Sequence, residues 1–220
     1  MGGKQLILTF DDACKSHLEF VLPVLQQYGF GATFFVCRPD KWLQKDPEAY
    51  LSGEEILQIY RAGFEIGNHT MNHTGMAALS DEECRSELKT LNDWLAQYGI
   101  PAPVSFAYPG GPYCANAAQL LPEFGIRAAR TTELGLWDKA KTDPMRVPCF
   151  SVSENDENNF YAAVELANED ENCAVTILYH GVPDLAHPWC NTPEDMFAKH
   201  MKYLADNDFC VISMKDFTGR

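Results

Sequence analysis

Ile66-Gly67-Asn68-His69-Thr70-Met71-Asn72-His73 joins a short apolar run to two histidines four residues apart. On a helical turn this spacing stacks both imidazoles on one face, near enough to share a metal ion. Two imidazoles leave a catalytic metal site incomplete, because zinc takes three protein ligands and keeps a further position open. A third donor stands near the start of the chain. Leu6-Ile7-Leu8-Thr9-Phe10 is a strand-like run that stops at Asp11-Asp12. Paired carboxylates repel and are costly to bury unpaired, so packing alone explains them poorly. Each feature has an ordinary explanation by itself: a chance histidine pair, or aspartates that cap a helix. Together, each following an apolar run, they point to one site.

The segments between these runs alternate. His17 to Tyr28 has a helical apolar pattern that stops at Gly29, and Ala32 to Val36 reads as a strand. A looser stretch with Trp42 and Pro47 follows. Ser52 with Glu55, and Ser80 with Glu83, have the spacing of capping boxes that open helices over 53–62 and up to about Tyr98. Strands are expected at 104–108 and 126–131, around a helix from Ala115 to Phe124. Residues 132–148 look irregular. A short strand at 147–152, a helix from Asp156 to Asn168 and a strongly apolar strand at 174–179 come next. Thr192 with Asp195 is expected to cap the last long helix, and Cys210 to Ser213 is the last strand. Strands alternating with helices imply a mainly parallel sheet in one α/β domain over residues 1–220, and about seven such units suit a barrel. Active groups should then gather at the carboxyl ends of strands. Asp11 and Asp12, His69 and His73, Tyr108 to Gly111, Arg130 and His180 all follow strands.

Composition narrows the function. Of the 220 residues, 46% are hydrophobic, enough for a full core. No run approaches the ~18 apolar residues of a membrane span. A formal charge of −14 repels nucleic acid and anionic membranes. The eight cysteines are scattered without a Cys-x-x-Cys pair, which argues against a zinc ribbon, a redox dithiol or a disulfide framework. Cys37, Cys173 and Cys210 read as small hydrophobes. Met1 to Gln5 leads straight into the first strand with no signal-peptide pattern, so the cytoplasm is expected, although a trimmed secreted chain would look the same. The oligomeric state is left open.

As chemistry, the parts form a hydrolytic centre. Asp12, His69 and His73 would hold a divalent metal, zinc first, which acidifies a water. Asp11 would take that water's proton. A backbone N–H of the Pro109-Gly110-Gly111 loop is placed to assist an oxyanion, and His180 to protonate a leaving amine.

These residues resemble a known family. Thr9-Phe10-Asp11-Asp12 resembles the T-F-D-D motif of polysaccharide deacetylases, carbohydrate esterase family 4, the NodB-homology domain. His69-Thr70-Met71-Asn72-His73 resembles its H-[ST]-x-x-H motif, Phe106-Ala107-Tyr108-Pro109-Gly110-Gly111 its third motif, and Leu178-Tyr179-His180 its L-x-H motif. The resemblance spans about residues 6 to 215. It implies a distorted (β/α)7-type barrel and metal-dependent removal of N- or O-acetyl groups from acetylated sugars. It also implies Asp11 as base, Asp12, His69 and His73 as metal ligands, His180 as acid, Gly110 as the oxyanion donor and Leu178 as a wall of the acetyl pocket. Family members carry an arginine in motif three that tethers the catalytic aspartate. Ala107 stands at that position here, and Arg130 is the expected substitute. The aspartate that orients the acid histidine has no clear match; Asp138 and Asp143 are the candidates.

Other residues are assigned by context. Tyr108, Trp137 and Trp189 are expected on the active face as substrate-binding groups, the tryptophans by stacking on a sugar ring. His187 is expected in solvent, with an approach to the site from its loop as the alternative, His17 and His200 as structural, and Glu65, Asp81 and Glu87 as surface charges. The expected substrate is a small acetamido sugar or short oligosaccharide. Two rival readings remain: a cyclic-amide or ureide hydrolase on the same fold, and a catalytically silent sugar-binding domain.

Overall fold

The computed structural model describes residues 3–219; Met1, Gly2 and Arg220, the outermost residues of the expected 1–220 domain, lie outside the described residues. The chain runs through β1 (Gln5–Phe10), α1 (Leu22–Tyr28, entered through a π-helical turn at His17–Val21), β2 (Thr33–Val36), α2 (Asp40–Lys45), α3 (Gly53–Arg61) and β3 (Glu65–Asn68). It continues with α4 (Asp81–Gln97), β4 (Ser105–Ala107), α5 (Ala117–Glu123), β5 (Ala128–Arg130), β6 (Leu136–Asp138) and β7 (Phe150–Ser151). The last elements are α6 (Asn158–Leu166), β8 (Cys173–Tyr179), α7 (Glu194–Asp206), β9 (Cys210–Ile212) and α8 (Met214–Thr218).

β1 is buried along its whole length, as a strand covered on both faces must be. It pairs in parallel with β8 on one side; on the other, its first half meets β9 and its end meets β2. The path β5-β4-β3-β2-β1-β8 is parallel throughout and curls into a distorted (β/α) barrel. β7 pairs with β8, and the residue-level bridge Arg130–Val147 links β5 to the segment leading into β7. That bridge nearly closes the ring.

The two-residue period of the strands sorts the side chains. Leu6, Leu8, Phe10, Phe34, Val36 and Ile177 face outward into the core shared with the helices, among them Leu25, Ile56, Ile59 and Phe197. Ile7, Phe35, Ala107 and Ala128 face inward and pack with Trp137 and Phe217. The same alternation carries Asp11 inward after Ile7 and Thr9, His69 after Glu65 and Gly67, and Arg130 after Ala128. A polar site therefore sits at one end of an apolar barrel interior.

Both expected capping boxes are present: the Glu55 N–H donates to Ser52 Oγ at 3.3 Å while Ser52 N–H donates to Glu55 Oε2 at 2.8 Å, and Ser80 and Glu83 repeat the arrangement. Such caps are worth about 1 kcal/mol each. Thr192 does not cap α7; its hydroxyl donates to the Val152 carbonyl at 3.3 Å, and Pro193 takes the N-cap position. The short elements α2, β6 and α8 were not expected.

Two assignments change with the topology. Trp137 lies on β6, which pairs antiparallel with the beginning of β8, opposite Ala174. It is 2% exposed, packs edge-on against Phe217 with ring centroids 4.7 Å apart, and plugs the barrel end away from the strand carboxyl ends. It cannot stack on a sugar at the active face. Glu65 is no surface charge. It lies inside the barrel and accepts hydrogen bonds from Thr33 Oγ1 (2.7 Å), Ser105 Oγ (2.6 Å) and the Lys215 N–H (2.8 Å). Burial raises its pKa.

Candidate active site

Asp11 still belongs to the sheet, since its N–H donates to the Tyr179 carbonyl at 3.0 Å. Asp12 (φ 75°) and Ala13 (φ 53°) then take left-handed conformations. L-residues adopt these only where surrounding structure enforces them. The kink overrides strand alternation at Asp12, so that both carboxylates enter one cleft.

The histidine pair is built differently from the helical turn expected. His69 N–H donates to the Val36 carbonyl at 3.1 Å, so the chain is still extended there. Thr70 (φ 60°) and His73 (φ 52°) bend it back, and Asn68 Oδ1 accepts the Thr70 N–H at 2.9 Å. The outcome is the one the spacing suggested by another route: the two rings lie edge to face, centroids 4.9 Å apart.

The donors converge. His69 Nε2 and His73 Nε2 lie 3.6 and 3.3 Å from Asp12 Oδ1, and one ligand atom from each of the three residues falls within 4.8 Å of the others. Donors about 2.0–2.2 Å from one tetrahedral ion are about 3.3–3.5 Å apart, so the set is metal-sized. His69 Nδ1 lies 2.8 Å from the Ala107 carbonyl, a contact that puts the proton on Nδ1 and leaves the Nε2 lone pair facing the cleft. Burial, then neighbouring His69, push His73 down to about 4, which keeps it a neutral donor.

Asp11 has one oxygen held and one open. Its Oδ2 accepts a hydrogen bond from Arg130 Nη2, and both side chains are buried. Its Oδ1 is buried with no hydrogen-bond partner. Burial works to raise the Asp11 pKa, but the Arg130 charge, followed by His69 and His180, holds it below the usual carboxylate value. The Arg130 guanidinium in turn rests over the Phe35 ring, 5.4 Å from its centroid.

His180 follows β8 across the cleft, with Nε2 4.0 Å from Asp12 Oδ2. Its carbonyl is held by His17 Nε2 at 3.0 Å, and its Nδ1 is buried without a partner. Neither candidate for an orienting aspartate reaches it. Asp138 sits by Cys173 at the far end of β8 and pairs with Lys141 at 2.7 Å, while Asp143 caps the turn at Met145.

The cleft has a volume of about 240 Å³. Leu178, Gly110 and Trp189 line it, as expected, and Trp189 is 70% exposed at its rim. Gly110 has φ 69°, and the neighbouring Gly111 N–H is already donated to the Tyr108 carbonyl at 2.9 Å. Tyr108 borders the cleft but is 1% exposed and donates its hydroxyl to the Met145 carbonyl at 3.0 Å, so that hydroxyl is not available to a substrate. His187 is not in solvent. It is 8% exposed, lines the cleft and pairs with Asp184 through Nδ1 at 3.2 Å. The sequence reading also passed over Trp42, whose ring centroid is 4.8 Å from His73 and 4.9 Å from His187. The cue was its position after a strand, masked by an unrecognised short helix.

The family model described as polysaccharide deacetylase matches residues 1–129, more than half of the chain. The chain belongs to the polysaccharide deacetylase family. The matched segment holds Asp11, Asp12, His69, His73 and Gly110; Arg130, Leu178 and His180 lie beyond it. A peptidoglycan-N-acetylglucosamine deacetylase of Bacillus cereus is 34% identical over 109 residues, 49% of this chain and 47% of the relative. The chain thus spans about half the length of the curated relatives it matches. Among solved structures, a family 4 carbohydrate esterase of Streptomyces lividans in complex with acetate superimposes with a TM-score of 0.66 at 19% identity, covering 96% of this chain and 93% of that one. A family 4 pseudoenzyme of Bacillus anthracis gives 0.66 at 18% identity, covering 98% of this chain and 66% of that one. At such identities these two likenesses speak for the fold alone.

Proposed function

We propose that this polysaccharide deacetylase removes acetyl groups from N-acetylated sugars, with N-acetylglucosamine units in short oligosaccharides as substrate and a divalent ion, zinc, held by Asp12, His69 and His73. The observation that carries this reading is the convergence of those three donors beside a base whose free oxygen, Asp11 Oδ1, is buried and unpartnered. A carboxylate oxygen left without a partner in a dry pocket needs a ligand-borne donor. The two-imidazole, one-carboxylate donor set suits zinc. The bound ion would polarise the acetyl carbonyl and lower the pKa of the attacking water.

The chain's own groups do the rest. Asp11 Oδ1 takes the proton of the attacking water, while Arg130 fixes the other carboxylate oxygen and keeps the base ionised. The Gly110 N–H stabilises negative charge on the acetyl oxygen, where an approaching main chain needs no side chain in the way. His180 Nε2, on the opposite wall, delivers a proton to the departing sugar amine. Leu178 receives the acetyl methyl. Trp42 and Trp189 offer ring faces at the mouth, and the cleft volume of about 240 Å³ fits one sugar ring with its acetamido arm. Substrates of uncharged sugar suit a chain whose formal charge is −14.

The test is acetate release. Chelator-stripped protein, reloaded with zinc, is offered chito-oligosaccharides, free N-acetylglucosamine, O-acetylated xylan fragments and a panel of hydantoins and cyclic imides. Metal-dependent acetate release from the N-acetylated sugars is expected. Ring opening of a cyclic amide without acetate, or sugar binding with no turnover at all, would overturn this function.

A further inference from the structure

A second group of potential ligands stands beside the first and shares none of its donors. Cys14, Asp184 and His187 each place one ligand atom within 4.8 Å of the others. Cys14 belongs to the turn after β1. Asp184 and His187 belong to the loop that follows β8. All three residues are buried. Cys14 and Asp184 are 170 positions apart, so no spacing motif announces the site.

The distances have a pattern. Cys14 Sγ lies 3.6 Å from Asp184 Oδ2, and His187 Nδ1 lies 3.2 Å from the same oxygen. A zinc ion with sulfur at about 2.3 Å and nitrogen or oxygen at about 2.0 Å spaces tetrahedral sulfur–oxygen edges by about 3.5 Å and nitrogen–oxygen edges by about 3.3 Å. Both observed edges are of that size. Cys190 Sγ approaches Asp184 Oδ2 to 4.0 Å.

Hydrogen bonding alone does not account for this crowding. Asp184 Oδ2 faces the Gly181 N–H at 3.2 Å, the His187 ring nitrogen and two thiols. A carboxylate oxygen has two lone pairs, so the Cys14 thiol is in excess, whereas the Cys190 thiol has the His187 carbonyl at 3.4 Å as its acceptor. As a metal ligand the Cys14 sulfur has a partner.

The supporting shell is the kind that holds ligands in place. His187 Nε2 lies 3.3 Å from the Tyr50 hydroxyl, which leaves Nδ1 to face Asp184 and Cys14. Asp184 Oδ1 accepts the His187 N–H at 2.8 Å, and the Asp184 N–H donates to Asn191 Oδ1 at 2.9 Å. An approach exists too. A cavity of about 470 Å³ opens onto Cys14 and Asp184, and its wall carries Glu19, Asp46 and Glu48 against the single cation Lys15. Such a wall concentrates cations.

We propose that Cys14 Sγ, Asp184 Oδ2 and His187 Nδ1 form a second, thiolate-containing zinc site. Binding releases the Cys14 thiol proton and any Nδ1 proton to solvent, forms the metal–ligand bonds and breaks no covalent bond besides S–H and N–H. The ion ties the turn after β1 to the loop that carries Trp189, so its role is to set the cleft rim. It supplies no reacting group, and the proposal does not depend on the deacetylase reading.

Cobalt(II) reports the two sites separately, because the second set of donors includes a sulfur and the Asp12–His69–His73 set does not. Reduced, metal-free full-length protein is titrated with cobalt under argon, and bound metal is counted by mass spectrometry. Wild type should take two equivalents and show a near-ultraviolet thiolate-to-cobalt charge-transfer band. His73→Ala should keep one equivalent and the whole band. Cys14→Ser should keep one equivalent and lose the band, and Cys190→Ser should keep both equivalents and the band. His187→Gln tests the site should Cys14→Ser fail to fold: its band should disappear while one equivalent remains. A folded wild type that binds without any charge-transfer band overturns the proposal, as does a band indifferent to the Cys14 and His187 substitutions. Failure of acetate release with the band intact would sink the deacetylase reading and leave this site standing.

Discussion

The guanidinium of Arg130 donates to Asp11 Oδ2 across the barrel mouth, and both side chains are sealed from water. Ala107, on β4, holds the motif-three position at which the family resemblance implies an arginine. Arg130 stands beside it on β5, paired in register with Ala107. The inward alternation of both strands makes the transfer simple: residues 107 and 130 share a level, so an arginine on either can reach a carboxylate at the end of β1. The other oxygen of Asp11 is left free, and a base needs one oxygen held and one open.

Replacing Arg130 by Met should therefore strike twice. Breaking a buried ion pair from one side costs about 3–5 kcal/mol, because the remaining charge is uncompensated. Adding Asp11→Asn should recover much of that loss, which a double-mutant cycle by urea unfolding would measure. The catalytic effect has a sign. The Arg130 charge keeps the Asp11 pKa low against burial, and without it burial raises that pKa. A base works only when deprotonated, so the acid limb of kcat/KM should move to higher pH in Arg130→Met. An unmoved limb would show that Arg130 serves only packing.

Metal and base should separate by substitution. Asp11→Asn keeps all three donors of the Asp12–His69–His73 set and removes the proton acceptor; turnover should fall by about 10²–10⁴-fold with zinc affinity nearly unchanged. His69→Ala should lose zinc and turnover together. Calorimetric zinc titration beside acetate release distinguishes the two. Retained activity in Asp11→Asn would reassign the base.

Much of this was legible because sequence patterns of period two and spaced polar groups translate directly into geometry. An apolar run ending in Asp11-Asp12 had to end at a mouth, and a strand delivering His69 and His73 had to end beside it. What the sequence concealed were contacts made by pairing across long distances. Trp137 looked like a loop residue because three residues of β6 are too short to show alternation, and its antiparallel pairing with β8 sends it to the opposite end of the barrel. Glu65 looked exposed because charged residues usually are; its three donors come from β2, β4 and the N–H of Lys215. His187 looked solvent-borne in a polar loop, and only the fold brings it to Tyr50 and the cleft.

Gly67 links packing to the site. A Cβ there would lie 2.3 Å from the Phe35 ring, which supports the Arg130 guanidinium and has its centroid 6.5 Å from that of His69. Gly67→Ala must displace Phe35 within a packed interior, at a cost of about 1–3 kcal/mol. The displaced ring should disturb both the tether and His69, a ligand of the proposed zinc, so kcat should drop more than KM changes, with zinc bound more weakly. Normal kcat in a folded Gly67→Ala protein would show that the ring can move without consequence.

His17 should make the fold acid-sensitive. It is fully buried between Phe10 and Phe34, gives one nitrogen to the His180 carbonyl and leaves the other unpartnered. Burial pushes its pKa from 6.5 down to about 4. The unfolded chain thus takes up a proton that the folded chain refuses. The stability due to the neutral ring is fully present above pH 6.5 and is lost as pH falls toward 4. Its full extent is about 3 kcal/mol. Urea unfolding at intervals across this window should give a steep slope for wild type and a shallower one for His17→Gln, which does not titrate. Parallel slopes would mean that another group, such as His200, also lowered to about 4, carries the acid sensitivity.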